Sequence, residues 1–176
     1  FSTKDLVTYT KQLAAYRIEN EQLYGTMTML ADISAGLGVS MDRLILAYGQ
    51  VKAASVLRGT ELRQFTEAGI PLVDELARKF SRLRGEVVST GEVFDLISKR
   101  KVPFEMVAEI FREMTSEGGR FYEMQKKQAE SLYGVFENLK DNIQNAFDEI
   151  GQSNRGLLMG LGKLATFGAK HFNVLT

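Results

Sequence analysis

Along the first 37 positions, apolar residues recur at alternating steps of three and four. Leu6, Tyr9, Leu13, Tyr16, Leu23, Met27, Leu30 and Leu37 hold the beat, and Asn20 and Ser34 occupy its two missing places. A strict three-four count is a heptad. It predicts a long helix running to Gly36 and Gly38, about 45 Å at helical rise. Ser2-Thr3-Lys4-Asp5 has capping-box spacing at its start, where a hydroxyl and a carboxylate satisfy the orphan amides of a first turn. Such a seam has two readings: a long helix docked on its own domain, or the end of a rod-like coiled coil. Tyrosines at 9 and 16 suit packing on a broad surface better than a tight dimer.

The middle of the chain is punctuated more often. Ser40 precedes a segment whose apolar face is Leu44, Tyr48 and Val51, ending near Arg58-Gly59. Thr60 opens a brief turn carrying Leu62 and Phe65, stopped at Gly69. Pro71 suits a first helical position. It leads a helix with Leu72, Leu76, Phe80 and Leu83 on one face and Gly85 as its stop. Ser89 and Glu92 form a second capping box before Val93, Phe94 and Ile97. Pro103 starts a helix that turns Phe104, Val107, Phe111 and Met114 inward and ends at Gly118-Gly119. Val87-Val88 and Val102 are the only extended-looking pieces, enough for a small bridge. From Phe121 a second long helix is expected, with Leu132, Phe136, Leu139, Ile143, Phe147 and Ile150 as its stripe and Gly151 as its end.

The predicted fold class is all-α. It is a helical bundle with two long outer helices, antiparallel, and a compact cluster of short helices between them. The boundaries are 1–38 for the N-terminal heptad helix, 39–120 for the cluster and 121–151 for the C-terminal helix. Residues 152–176 form a Gly-rich apolar tail. Gly156 to Ala169 is too short to span a membrane and reads as an amphipathic or interfacial segment, or as the start of a further region.

Composition narrows the function more than the fold. The chain is 44% apolar and 25% charged, with 22 basic and 22 acidic residues and no cysteine. Zero net charge argues against a dedicated nucleic-acid surface. Absence of cysteine removes disulfides, zinc–thiolate sites and cysteine nucleophiles. The opening at Phe1 and the uncapped Asn173-Val174-Leu175-Thr176 read as cuts in a longer polypeptide.

The sequence yields no catalytic, cofactor-binding or metal-ligating set, and the chain is not expected to be an enzyme. His171, the single histidine, can anchor neither a triad nor an i,i+4 zinc pair. Gly160-Leu161-Gly162-Lys163-Leu164-Ala165 matches a dinucleotide fingerprint but has no strand before it. As a phosphate loop it fails at Leu157 and Leu164. Glu109 and Glu113 lie one turn apart, yet no helix offers the Glu-x-x-His of a di-metal cage, so they read as a solvated face. Lys99-Arg100-Lys101 reads as a cationic helix C-terminus, where charge complements the dipole. Gly156-x-x-x-Gly160 allows close helix approach in lipid, though flexibility is the simpler purpose.

An ordered series of short matches carries more information. Leu37-Gly38-Val39-Ser40, Tyr48-Gly49-Gln50-Val51-Lys52-Ala53, Leu57-Arg58-Gly59-Thr60-Glu61-Leu62-Arg63-Gln64-Phe65 and Glu67-Ala68-Gly69-Ile70-Pro71-Leu72 come first. Ser98-Lys99-Arg100-Lys101-Val102-Pro103 with Val107, Glu117-Gly118-Gly119-Arg120-Phe121-Tyr122 and Asn138-Leu139-Lys140-Asp141 follow. From about Gly36 to Gly151 the series resembles the tape measure domain of tail tape measure proteins of long-tailed bacteriophages and prophages. The resemblance implies a long helical protein inside the tail tube whose length sets how many tube rings stack, and which leaves ahead of the genome. It implies tail tube protein, tail assembly chaperones and tail tip or baseplate proteins as partners; self-association through the long helices is a further expectation, from the heptad seam. It further implies the virion tail lumen, and the host cytoplasm during assembly, as its location. The alternative is a membrane-active helical domain, with Gly156 to Ala169 helping to form a path for DNA through the host envelope.

Overall fold

The computed structural model describes residues 3–130, and every regular element among them is helical. The order is α1 (Thr3–Ala15), α2 (Asn20–Leu37), α3 (Met41–Ala54), α4 (Gly59–Glu67), α5 (Leu72–Arg84), α6 (Thr90–Ser98) and α7 (Phe104–Thr115). The chain divides into two compact units, Phe1–Gln125 and Lys126–Thr176. The helices α1 to α7 belong to the first.

The N-terminal heptad is not one helix. It breaks at Tyr16–Glu19, and α2 folds back so that the Thr10 hydroxyl lies 3.8 Å from the Met27 sulfur. Both halves then pack on α3, where they bury Tyr9, Leu13, Ile18, Leu30 and Ile33. Intramolecular burial therefore replaces the continuous seam. The second long outer helix lies mostly outside the described residues. Turns occupy 121–123, and the backbone is helical from Met124 to Glu130. Asp32, buried in α2, accepts the Gln125 N–H at 3.1 Å and satisfies a first-turn amide of that segment. Ser2, the predicted first cap, also lies outside the described residues.

The short helices form largely where their punctuation placed them. Gly38 and Gly85 end α2 and α5 in the left-handed conformation that costs glycine little. Ser89 and Glu92 make a complete capping box on α6: Ser89 Oγ accepts the Glu92 N–H at 3.2 Å, and Glu92 Oε2 accepts the Ser89 N–H at 2.8 Å. Pro71 and Pro103 sit at the N-cap, one residue before the helix rather than in its first turn. Ser40 is the N-cap of α3 but makes no side-chain capping bond. Thr60 lies inside α4, whose N-cap is Arg58.

Burial follows the predicted faces except at Leu83 and Phe94, which are 65% and 54% exposed. Each sits on the margin of its stripe, and neither α5 nor α6 has a neighbour covering that side. Aromatic rings pack around α7. Phe111, fully buried, meets Tyr48 of α3 and Phe65 of α4 at centroid distances of 5.5 and 5.1 Å, while Tyr48 stands edge-on to Phe104 at 5.1 Å. Such tilted and edge-on pairs satisfy ring quadrupoles as well as removing apolar area from water.

The small bridge occurs, with a different partner. Leu57 N–H donates to Val102 C=O at 2.8 Å and Phe104 N–H to Ser55 C=O at 3.0 Å, tying the α3–α4 link to the α6–α7 link around Val56 and Pro103. Val87 is instead 91% exposed, and the Val88 N–H is held by Ser81 Oγ at 2.8 Å. The linkers at 55–57 and 102–104 are brought together because Leu57 and Val102 are both fully buried.

Phe111→Ala is expected to cost about 3–5 kcal/mol of stability by urea denaturation, against no more than about 0.5 kcal/mol for Phe94→Ala. Two helical glycines should respond in opposite directions. A Cβ at Gly25 meets nothing, whereas one at Gly49 would penetrate the Tyr16 ring. Gly25→Ala should therefore stabilise by about 0.5–1 kcal/mol through helix propensity. Gly49→Ala should destabilise by about 1–3 kcal/mol despite the same gain.

Candidate functional site

Among the described residues, the most concentrated set of interacting charges lies between α5 and α7. Lys79 faces inward on α5, with only 8% of its surface exposed. On α7, Glu109 and Glu113 stand one turn apart and both reach it. Lys79 Nζ is 2.5 Å from Glu109 Oε1 and 2.8 Å from Glu113 Oε1, and Arg82 Nη2 holds the second Glu113 oxygen at 3.0 Å. The two glutamates are about half exposed, so water reaches the cluster from their side. It borders an open cleft of about 590 Å³ whose polar walls are Glu75, Arg78, Ser81, Arg82 and Glu113.

Chemically this is a clamp. Donation of hydrogen bonds to Glu109 and then Glu113 raises the Lys79 ammonium above its ordinary value of 10.5 against the opposing effect of burial. A lysine acts as a nucleophile when its amine is neutral. Here it is held charged. Nor are the glutamates arranged for a metal, because a cation already stands between their oxygens. Among the described residues no group of three or more His, Cys, Asp or Glu side chains is placed to hold one.

A second ion pair closes the start of α4. Glu61 is 1% exposed, and its two oxygens accept Arg58 Nη2 at 2.6 Å and Arg58 Nε at 3.0 Å. Bonding to Glu61 holds the Arg58 guanidinium above its ordinary range. A burial of this kind requires the bidentate geometry, since an unpaired carboxylate there would lack its hydration.

The sequence reading placed Glu109 and Glu113 on a solvated face. They are instead half-exposed partners of a buried lysine. The signal for Lys79 was present: Leu72, Leu76, Lys79 and Leu83 are spaced four, three, four, so Lys79 stands on the seam itself. Nothing in a single sequence shows which helix supplies its counter-charge. Lys99 is the C-cap of α6 and pairs with Asp95 at 2.6 Å, as a cationic helix end should. His171, Gly156-x-x-x-Gly160 and the Gly160 to Ala165 stretch lie outside the described residues.

The clamp makes stability depend on pH. Bonding to Lys79, and less strongly to Arg82, holds the Glu113 carboxyl below its ordinary value of 4.5. A depressed folded-state value means the contribution is complete above 4.5 and is lost as pH falls through the lower, folded value. Melting temperature should therefore drop on acidification below pH 4.5 more steeply in the natural chain than in Glu113→Gln, as thermal melts across the acid range would show.

A family model described as tape measure protein matches residues 1–152. No curated protein and no solved structure matches the chain. The match ends at Gln152, where the polar break Gln152-Ser153-Asn154-Arg155 introduces the Gly-rich tail. It covers most of the chain, including every described helix, and the chain therefore belongs to the tape measure protein family.

Proposed function

We propose that this segment acts as part of the ruler of a phage tail, occupying the tube lumen during assembly and leaving it during genome delivery. The family match over residues 1–152 carries the reading, since that family has a structural role in the phage tail. The physical character of the chain agrees with it. A ruler needs axial length per residue, and a helix supplies about 1.5 Å for each. It needs little adhesion to its surroundings, which a zero net charge and absence of cysteine favour. On this reading its partners are the tail tube protein along the lumen and tail assembly chaperones before the tube closes.

A helical cluster is short along its axis, whereas the same residues drawn out as helix are long. The two arrangements make different demands on tail length. An in-frame deletion of residues 3–130 from the parent phage should shorten its tail by roughly 190 Å, at about 1.5 Å for each of the 128 residues, and a tandem duplication should lengthen it equally. Electron microscopy of purified particles reads both. Unchanged tail length in the two variants would mean that this segment lies outside the measured span.

A further inference from the structure

Helices α4 and α6 both pack on α5, and a channel of about 390 Å³ is left open between them. Its walls include Leu62, Arg63 and Glu67 from α4 with Phe94, Ile97 and Ser98 from α6. Leu62 and Ile97 are buried, whereas Phe94 is 54% exposed. That exposure does not come from a loose helix. The complete Ser89–Glu92 capping box fastens the start of α6. At its end the Arg100 N–H donates to Ile97 C=O at 2.9 Å and the Lys101 N–H to Leu96 C=O at 2.9 Å, a Schellman pair. A large apolar ring is thus held in water on a helix secured at both ends.

Charge around this channel is not balanced from within. Every carboxylate of α4 and α6 is engaged: Glu61 by Arg58, Glu67 by Arg43, Glu92 by the Ser89 N–H and Asp95 by Lys99. Cations are left over. Arg63 on the channel wall, and Arg100 and Lys101 just past its Ile97-Ser98 end, are exposed and pair with no described carboxylate. Lys99 already answers the negative end of the α6 dipole. Arg100 also takes the left-handed conformation, at φ 56°, in the place that glycine fills at the ends of α2 and α5. An arginine there accepts backbone strain and keeps a charge that glycine would lack.

We infer that the α4–α6 channel is a docking site for an acidic amphipathic helix of another protein. Large apolar residues of that helix, three or four apart, fill the channel against Leu62, Phe94 and Ile97, and its carboxylates meet Arg63, Arg100 and Lys101. A strand would find no main-chain partner, because both walls are helices whose backbone groups bond within themselves. Nucleic acid fits less well. A single ring gives successive bases no platform, and the 22 basic residues of the chain are matched by 22 acidic ones. The assignment stands apart from the ruler reading, since docking is measured on the free chain and tail length on particles.

The probe is a fluorescent peptide of about 18 residues, roughly five helical turns, with leucine at three-four spacing and glutamate and alanine between. Its twin carries lysine in place of each glutamate. Anisotropy against the 176-residue chain should show the acidic peptide binding saturably below about 1 mM, and about tenfold or more tighter than the twin. Phe94→Ala should weaken it about tenfold, as loss of an apolar anchor does. Arg63→Glu should weaken it about as much and strengthen the twin. Leu83→Ala removes a similarly exposed apolar residue outside the channel and should change nothing. All three residues are exposed, so the variants should melt as the natural chain does. No binding of the acidic peptide, equal binding of the twin, or binding that Phe94→Ala leaves unchanged would overturn the proposal. A thymidine oligonucleotide that binds instead, and is lost in Arg63→Glu, would overturn it in favour of nucleic acid. A dimer of the chain that Phe94→Ala dissociates would overturn it in favour of a second copy.

Discussion

The packing of Phe111 is the constraint on which the rest of this bundle depends. Its ring touches Tyr48 of α3 and Phe65 of α4, and its helix also packs on α2 and α5. Half of α7 faces inward, as half of α3 does: Phe104, Val107, Ala108, Ile110, Phe111 and Met114 are all buried. Helices of nine to fourteen residues, such as α3 to α7, are marginal alone in water, so each is stable because it shares this core. The linker bridge at Val56 and Pro103 follows from the same packing, because it forms where α3 ends and α7 begins.

Around that apolar centre, charge fixes direction. An apolar stripe tolerates sliding of one helix along another, whereas Lys79 between Glu109 and Glu113 does not. The clamp sets the register of α5 on α7. It costs little desolvation because the carboxylates keep half their surface in water while the lysine stem adds to the core. Tyr48 is the opposite case. Its phenol is buried deeply enough that its ionisation is pushed well beyond the ordinary range, and it serves as an aromatic wall rather than an acid.

A structural role in a tail and a compact helical cluster place unlike demands on one sequence. On the proposed ruler reading, axial reach favours continuous helix, while burial of apolar seams favours folding back. The first 37 residues carry a heptad pattern with polar Asn20 and Ser34 at two of its places, and fold as a hairpin. The hairpin is set by close fit, because Tyr16 is received by Gly49 where a Cβ would leave no room.

Periodicity and punctuation by themselves determined the helical class, the α6 capping box, the stops at Gly38 and Gly85, and the inward face of α7. These are local properties, set by hydrogen bonding within a turn and by the spacing of apolar residues along one helix. The ordered matches from Leu37 onward carried the family, for which no single site residue was needed. Tertiary structure alone decided the break at Arg17, the burial of Lys79 and the exposure of Phe94. Each depends on what stands opposite: α3 with Gly49 for the hairpin, α7 with two glutamates for the lysine, and no covering helix for Phe94. A single chain read in order records which face is apolar. Which neighbour meets that face is settled by contacts between residues far apart in sequence, and those exist only in the folded chain.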